Sequence, residues 1–210
     1  HSSASNSCWR THPPSMRRPA APTPRPALFS CSVQLLPLMP KSPEIISFLE
    51  ALRSEDSPRP LPAGSPRAVI DTNVLMDFWH FHDQAAAPLL ELLESGAFIA
   101  LRDAETENEF AEVIGRAQFS VPLEAQKRIL ALWHRTAWPV PEVRRASFGC
   151  SDPLDQKLFD LSVAGNAALL VTKDRQVLKA GRRAKKSGLL VLTPEQAAEM
   201  IQSSRKAAAN

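Results

Sequence analysis

The 210-residue chain carries 25 Lys and Arg against 22 Asp and Glu, a formal net charge of +3, with 44% hydrophobic residues and three cysteines. This length holds one domain with a full core plus a tail, and three cysteines make no even disulfide framework, so a reducing, cytoplasmic setting is expected. No apolar run approaches the roughly 20 residues that cross a bilayer, so no membrane span is expected.

Composition divides near residue 65. Residues 1–65 hold 12 of the 19 prolines. Without steady apolar periodicity they cannot easily offset their ordering entropy and read as a largely disordered extension. "EIISFLEALR" (44–53) is expected as one short helix within it. The stretch 16–40 has the basic start and apolar patch of a leader, but six prolines break that patch. The extension also carries the whole positive surplus, seven basic residues against four acidic ones, and the remainder holds 18 of each. Net charge therefore says nothing about partners; local distribution must. A folded domain is expected over 66–204, with 205–210 as a short flexible end.

Within that domain "AVID" (68–71) is a short apolar run ending in a polar turn, which fits a buried parallel strand. "QAAAPLLELLESG" is apolar at Leu89, Leu90, Leu92 and Leu93 and stops at Ser95-Gly96, a helix C-terminal signal. "AFIAL" (97–101) is a second strand. "DAETENEFAEVIGRA" puts Phe110, Val113 and Ile114 on one helical face and crowds acids into its first turns, where the helix dipole favours them. "PLEAQKRILALWHR" begins a helix near Pro122. After the loop "AWPVPEVRRASFGCSDP", the helix "LDQKLFDLSVAG" closes on Gly165. "AALLVT" (167–172) and "GLLVLT" (188–193) are strands, and "TPEQAAEMIQSS" is a helix with Thr193 as cap and Pro194 at its first position. This alternation predicts a three-layer α/β/α domain around a mostly parallel sheet of four to five strands.

Sites on such sheets form beyond the C-terminal strand ends. Asp71 follows one strand and Asp174 another, so both carboxylates stand at one sheet edge. Asp155, in "DPLD", lies near a helix start that can face the same edge. Glu109 and Glu112 share a helical face. Each acid also has a plain structural reading. Asp71 can cap the turn "DTN", Asp152 can cap its helix, Asp174 can sit in the turn "KDRQ", and Glu112 can be solvated. Together they read differently. Carboxylates ~4 Å apart repel by roughly 4 kcal/mol per pair at an effective dielectric near 20, so four of them need protons or a cation. Oxygen donors without His or Cys suit Mg²⁺ or Mn²⁺ rather than zinc.

The order "VIDTNVL", "ENEFAEVI" and "DPLDQKLFDLSVAGNAALLVTKD" resembles the PIN domain, nearest its toxin–antitoxin toxin branch, over about residues 68–192. The resemblance implies a metal-dependent ribonuclease in which Asp71, Glu109, Asp155 and Asp174 hold the metal. By it, Asn73 and Thr172 steady the pocket and Asp152 stands behind it. The match to "EFAEVI" selects Glu109 over Glu112, with Glu107 a rival. Lys173 departs from the small or polar residue usual between Thr and Asp.

RNA is then the substrate, and an antitoxin protein and a second copy of the chain are the implied partners. An acidic pocket repels RNA, so the basic stretch "KDRQVLKAGRRAKKSG" is read as a source of phosphate contacts through Lys173, Arg175, Lys179, Arg182 and Arg183. The plain alternative is a solvated loop. Two other functions compete. One is a non-catalytic RNA- or protein-binding module on the same fold. The other is an Mg²⁺-dependent phosphatase with Asp71 as nucleophile, which wants an acid at position 73, where Asn73 stands.

Overall fold

The structure, a computed structural model, describes residues 42–57, 64–148 and 152–209. Of the largely disordered extension expected over 1–65, residues 1–41 and 58–63, and with them the leader-like stretch 16–40, lie outside the described residues. Five parallel strands, β1 (Arg67–Ile70), β2 (Ile99–Arg102), β3 (Trp138–Pro139), β4 (Leu169–Val171) and β5 (Leu190–Leu192), form one sheet in the order β3-β2-β1-β4-β5. Among the described residues eight α-helices flank it: α1 (Pro43–Ser54), α2 (Thr72–Met76), α3 (Ala87–Glu94), α4 (Ala104–Ile114), α5 (Leu123–Thr136), α6 (Gln156–Ala164), α7 (Arg175–Ala184) and α8 (Pro194–Ala209). This is the three-layer α/β/α domain that the alternation predicts.

Side chains alternate across a strand, and the sheet uses both faces. Ala68, Ile70, Ala100, Leu169 and Val171 pack into a core shared with α1 to α5 and α8. Val69, Leu101 and Leu170 point the other way, into a core shared with α6 and α7. A strand buried on both sides needs a continuous apolar run, which is why "AVI" and "LLV" were legible. Helix starts follow their caps. Ser42 Oγ accepts from the Ile45 amide at 3.2 Å with Pro43 in the first turn. Asp103 and Thr106 cap α4 reciprocally. Thr193 and Gln196 do the same at α8, at 3.1 and 3.4 Å.

Two elements differ from the sequence expectation, and a third, the short helix expected over 44–53, differs only in docking onto the core. β3 lies where a loop was read; it is two residues long at the sheet margin, where Pro139 and Pro141 cost no central ladder bond. α7 occupies the basic stretch read as a loop. Its buried Val177, Ala180 and Ala184 recur at helical spacing. Gly181, unfavourable in a helix interior, lets the backbone press on β5, since a Cβ there would lie 2.7 Å from Val191 Cβ. α1, inside the proline-rich segment, buries Ile45 and Leu49 in the core. The packed body therefore takes in residues 43–54 as well as the described residues from 66 onward. At the other end α8 runs through Ala209, past the expected domain end at residue 204. Among the described residues no helix is long and apolar enough to cross a membrane.

Candidate active site

The chain leaves β1 toward β2 and β3, then returns on the other side of β1 as β4. The crevice beyond the ends of β1 and β4 is thus the switch point of the sheet. The register pairs Ile70 with Val171, which sets the next residues, Asp71 and Thr172, side by side. The Asp71 amide donates to the Val171 carbonyl at 2.9 Å.

Asp71 is 7% exposed and Thr172 fully buried. Thr172 Oγ1 donates to Asp71 Oδ2 at 2.5 Å and Asn73 Nδ2 donates to the same oxygen at 2.7 Å. The Asp174 amide in turn donates to Thr172 Oγ1 at 2.9 Å. Asn73 Oδ1 accepts from the Lys173 amide at 3.2 Å. Two strand ends are thereby tied through one carboxylate oxygen. Asp71 occupies the cap position of α2, yet its side chain makes no capping bond.

Burial pushes the Asp71 carboxyl up to about 7; the Thr172 bond opposes this, and the charges of Glu109 and Asp155 add to it. Glu109 and Asp155 thus act on Asp71 as near like charges. Glu109 Oε2 itself lies 3.1 Å from Lys157 Nζ. Asp155 ends the tight turn Pro153–Asp155 ahead of α6 and has a partner of its own. Asp174 Oδ1 caps α7, accepting from Gln176 and Val177 amides at 2.6 and 3.2 Å. Asp152 caps its own turn through the Leu154 amide at 2.9 Å, and Glu112 meets Arg116 at 3.7 Å. Among the described residues no group of three or more His, Cys, Asp or Glu is gathered to hold a metal ion. The donors at the crevice are hard oxygens, a chemistry that fits Mg²⁺ or Mn²⁺.

Two neighbourhoods escaped the sequence reading. Lys173 Nζ lies 2.8 Å from Asp77 Oδ2 and 3.0 Å from Asp83 Oδ2, so its ammonium is engaged by protein carboxylates rather than offered to phosphate. Asp77 opens a five-residue π-turn, Asp77–Phe81, a local widening often found near functional positions. Burial raises the Asp77 carboxyl, with Lys173 opposing and Asp83 and Glu195 adding to the rise. The second neighbourhood surrounds Glu107, which is 1% exposed. It meets Arg53 Nε at 2.9 Å, His134 Nδ1 at 2.7 Å and Arg102 at 3.4 Å. Arg102 also reaches Asp56 at 2.6 Å. Glu107 is a structural acid, which removes it as a rival to Glu109. His134 is held in the same network, and His80 packs edge-on against Phe81 and Phe119.

Fold and crevice together define an α/β domain with acids around the switch point of a parallel sheet. A family model described as the PIN domain matches residues 67–176, just over half of the chain, from β1 into α7. The chain belongs to the PIN-domain family, whose members are generally nucleases and typically use divalent metals. Neither a curated protein nor a solved structure matches it.

Proposed function

We propose that this PIN domain is a divalent-metal-dependent endoribonuclease that hydrolyses RNA phosphodiester bonds in the cytoplasm. The observation that carries this reading is Asp71, a buried carboxylate held by neutral donors and pressed by two like charges. Asp71, Glu109, Asp155 and Asp174 would hold Mg²⁺ or Mn²⁺. When bound, such a cation supplies an activated water and stabilises the leaving oxygen. The chain's own part is positional. Thr172 and Asn73 grip one oxygen of Asp71, and the Asp174 amide fixes the Thr172 hydroxyl that does so. The rigid strand ends beneath them keep that geometry.

The test is cleavage of a mixed-sequence RNA by the purified chain with Mn²⁺ or Mg²⁺. Cleavage is expected, with loss in EDTA and in Asp71→Asn. Metal-dependent cleavage that persists in Asp71→Asn overturns the site. The resemblance to toxin components extends the proposal to the toxin of a toxin–antitoxin pair, with a small antitoxin protein and a second copy of the chain as partners. A neighbouring reading frame for a small inhibitory protein is the expected finding.

One observation favours a second reading, a non-catalytic binding module: Glu109 is paired with Lys157 and no group of acids is gathered among the described residues. Calorimetry with Mn²⁺ separates the two. Heat of binding lost in Asp71→Asn supports the nuclease; no heat in the unaltered chain supports the module.

A further inference from the structure

α7 begins one residue after Asp174 and is two-sided. Val177, Ala180 and Ala184 are buried, and Gly181 lies against Val191 of β5. On the outer side Arg175, Lys179 and Arg182 recur at i, i+4 and i+7, all exposed. Those spacings place three cations on one helical face. Lys185 and Lys186 continue the run in the tight turn Lys185–Ser187 and are also exposed. No Asp or Glu lies between Arg175 and Ser187. Lys173, just before the helix, is held by Asp77 and Asp83, and Arg183 has a partner of its own. The five others make no ion pair among the described residues.

Like charges so spaced repel one another, and a polyanion laid along the helix relieves that repulsion. At ~1.5 Å per residue the run from Arg175 to Lys186 spans roughly 16 Å, long enough to accompany more than one phosphate. No aromatic residue lies in 175–187 to stack a base. We propose that the outer face of α7 is a phosphate rail, with Arg175, Lys179, Arg182, Lys185 and Lys186 taking the backbone of a single RNA strand beside the crevice. It reads charge and not sequence. This rests on the nucleolytic reading, and it revises the five phosphate contacts expected from sequence, replacing Lys173 and Arg183 with Lys185 and Lys186.

The test measures binding of an unstructured fluorescent RNA to the full chain in EDTA, by anisotropy, across roughly 50 to 200 mM salt. Each of Arg175→Gln, Lys179→Gln and Arg182→Gln is expected to reduce the slope of log affinity against log salt by about 0.7, and the triple variant by about 2. Cleavage by the triple variant is expected to show a raised KM that depends less on salt, with unchanged kcat. A slope unchanged in the triple variant, or no RNA binding by the unaltered chain, overturns the rail and leaves the stripe to an acidic protein segment. The two readings fail separately. Cleavage with an unchanged slope keeps the nuclease and sinks the rail; a reduced slope without cleavage does the reverse.

Discussion

Asp71 and Glu107 are both buried carboxylates at the C-terminal side of the sheet, and they are treated in opposite ways. Glu107 is met by two arginines and a histidine, so its charge is answered inside the protein. Asp71 receives two neutral donors and faces two like charges. A buried ion that is paired is architecture. One left with its charge unanswered is poised for something from outside. Glu109 lies two residues from Glu107 on the same helix, α4.

The sharpest way to break the comparison is at Glu107. Glu107→Ala leaves Arg102, itself 2% exposed, without its buried partner, and should cost about 3 to 5 kcal/mol in chemical denaturation. An effect near zero would make the network ornamental. Next comes added metal. Saturating Mn²⁺ should stabilise the unaltered protein by about 2.7 kcal/mol at a hundredfold excess over Kd, and should do nothing for Asp71→Asn. Equal stabilisation of both proteins would move the metal elsewhere.

The third effect is pH. The Asp71 carboxyl stands near 7 in the folded protein against an ordinary 3.8, so folding favours its protonated form. Its contribution to stability is complete below about pH 4 and is lost as pH rises through about 7. Without metal, the melting temperature of the unaltered protein should therefore fall across that window relative to Asp71→Asn. Parallel curves for the two proteins would count against it. The smallest effect concerns Lys157. If its pairing with Glu109 is worth about 1 kcal/mol, Lys157→Gln should tighten Mn²⁺ binding by roughly fivefold. Weakened binding would mean that Lys157 orients Glu109 rather than restrains it.

The crevice was readable because its parts are announced locally. Asp71 and Thr172 each end an apolar strand run, and parallel pairing of those strands does the rest. The Glu107 network was not, because Arg53, Asp56, Arg102 and His134 each look like an ordinary solvated charge in sequence, and only folding across 46 to 55 residues joins the first two to the body. α7 was hidden by Gly181 and by a density of cations that mimics a loop. β3 was hidden by prolines. Sequence shows what a residue needs from its neighbours in the chain; it does not show which distant residue will supply it.

The docking of α1 also imposes an order on synthesis. Arg53 leaves the ribosome 54 residues ahead of Glu107, a wait of ~3 to 10 s at 5 to 20 residues per second. During that interval Ile45 and Leu49 have no core to enter. The helix is among the first described parts to be made, and it must wait for α4 and α5 before it can dock.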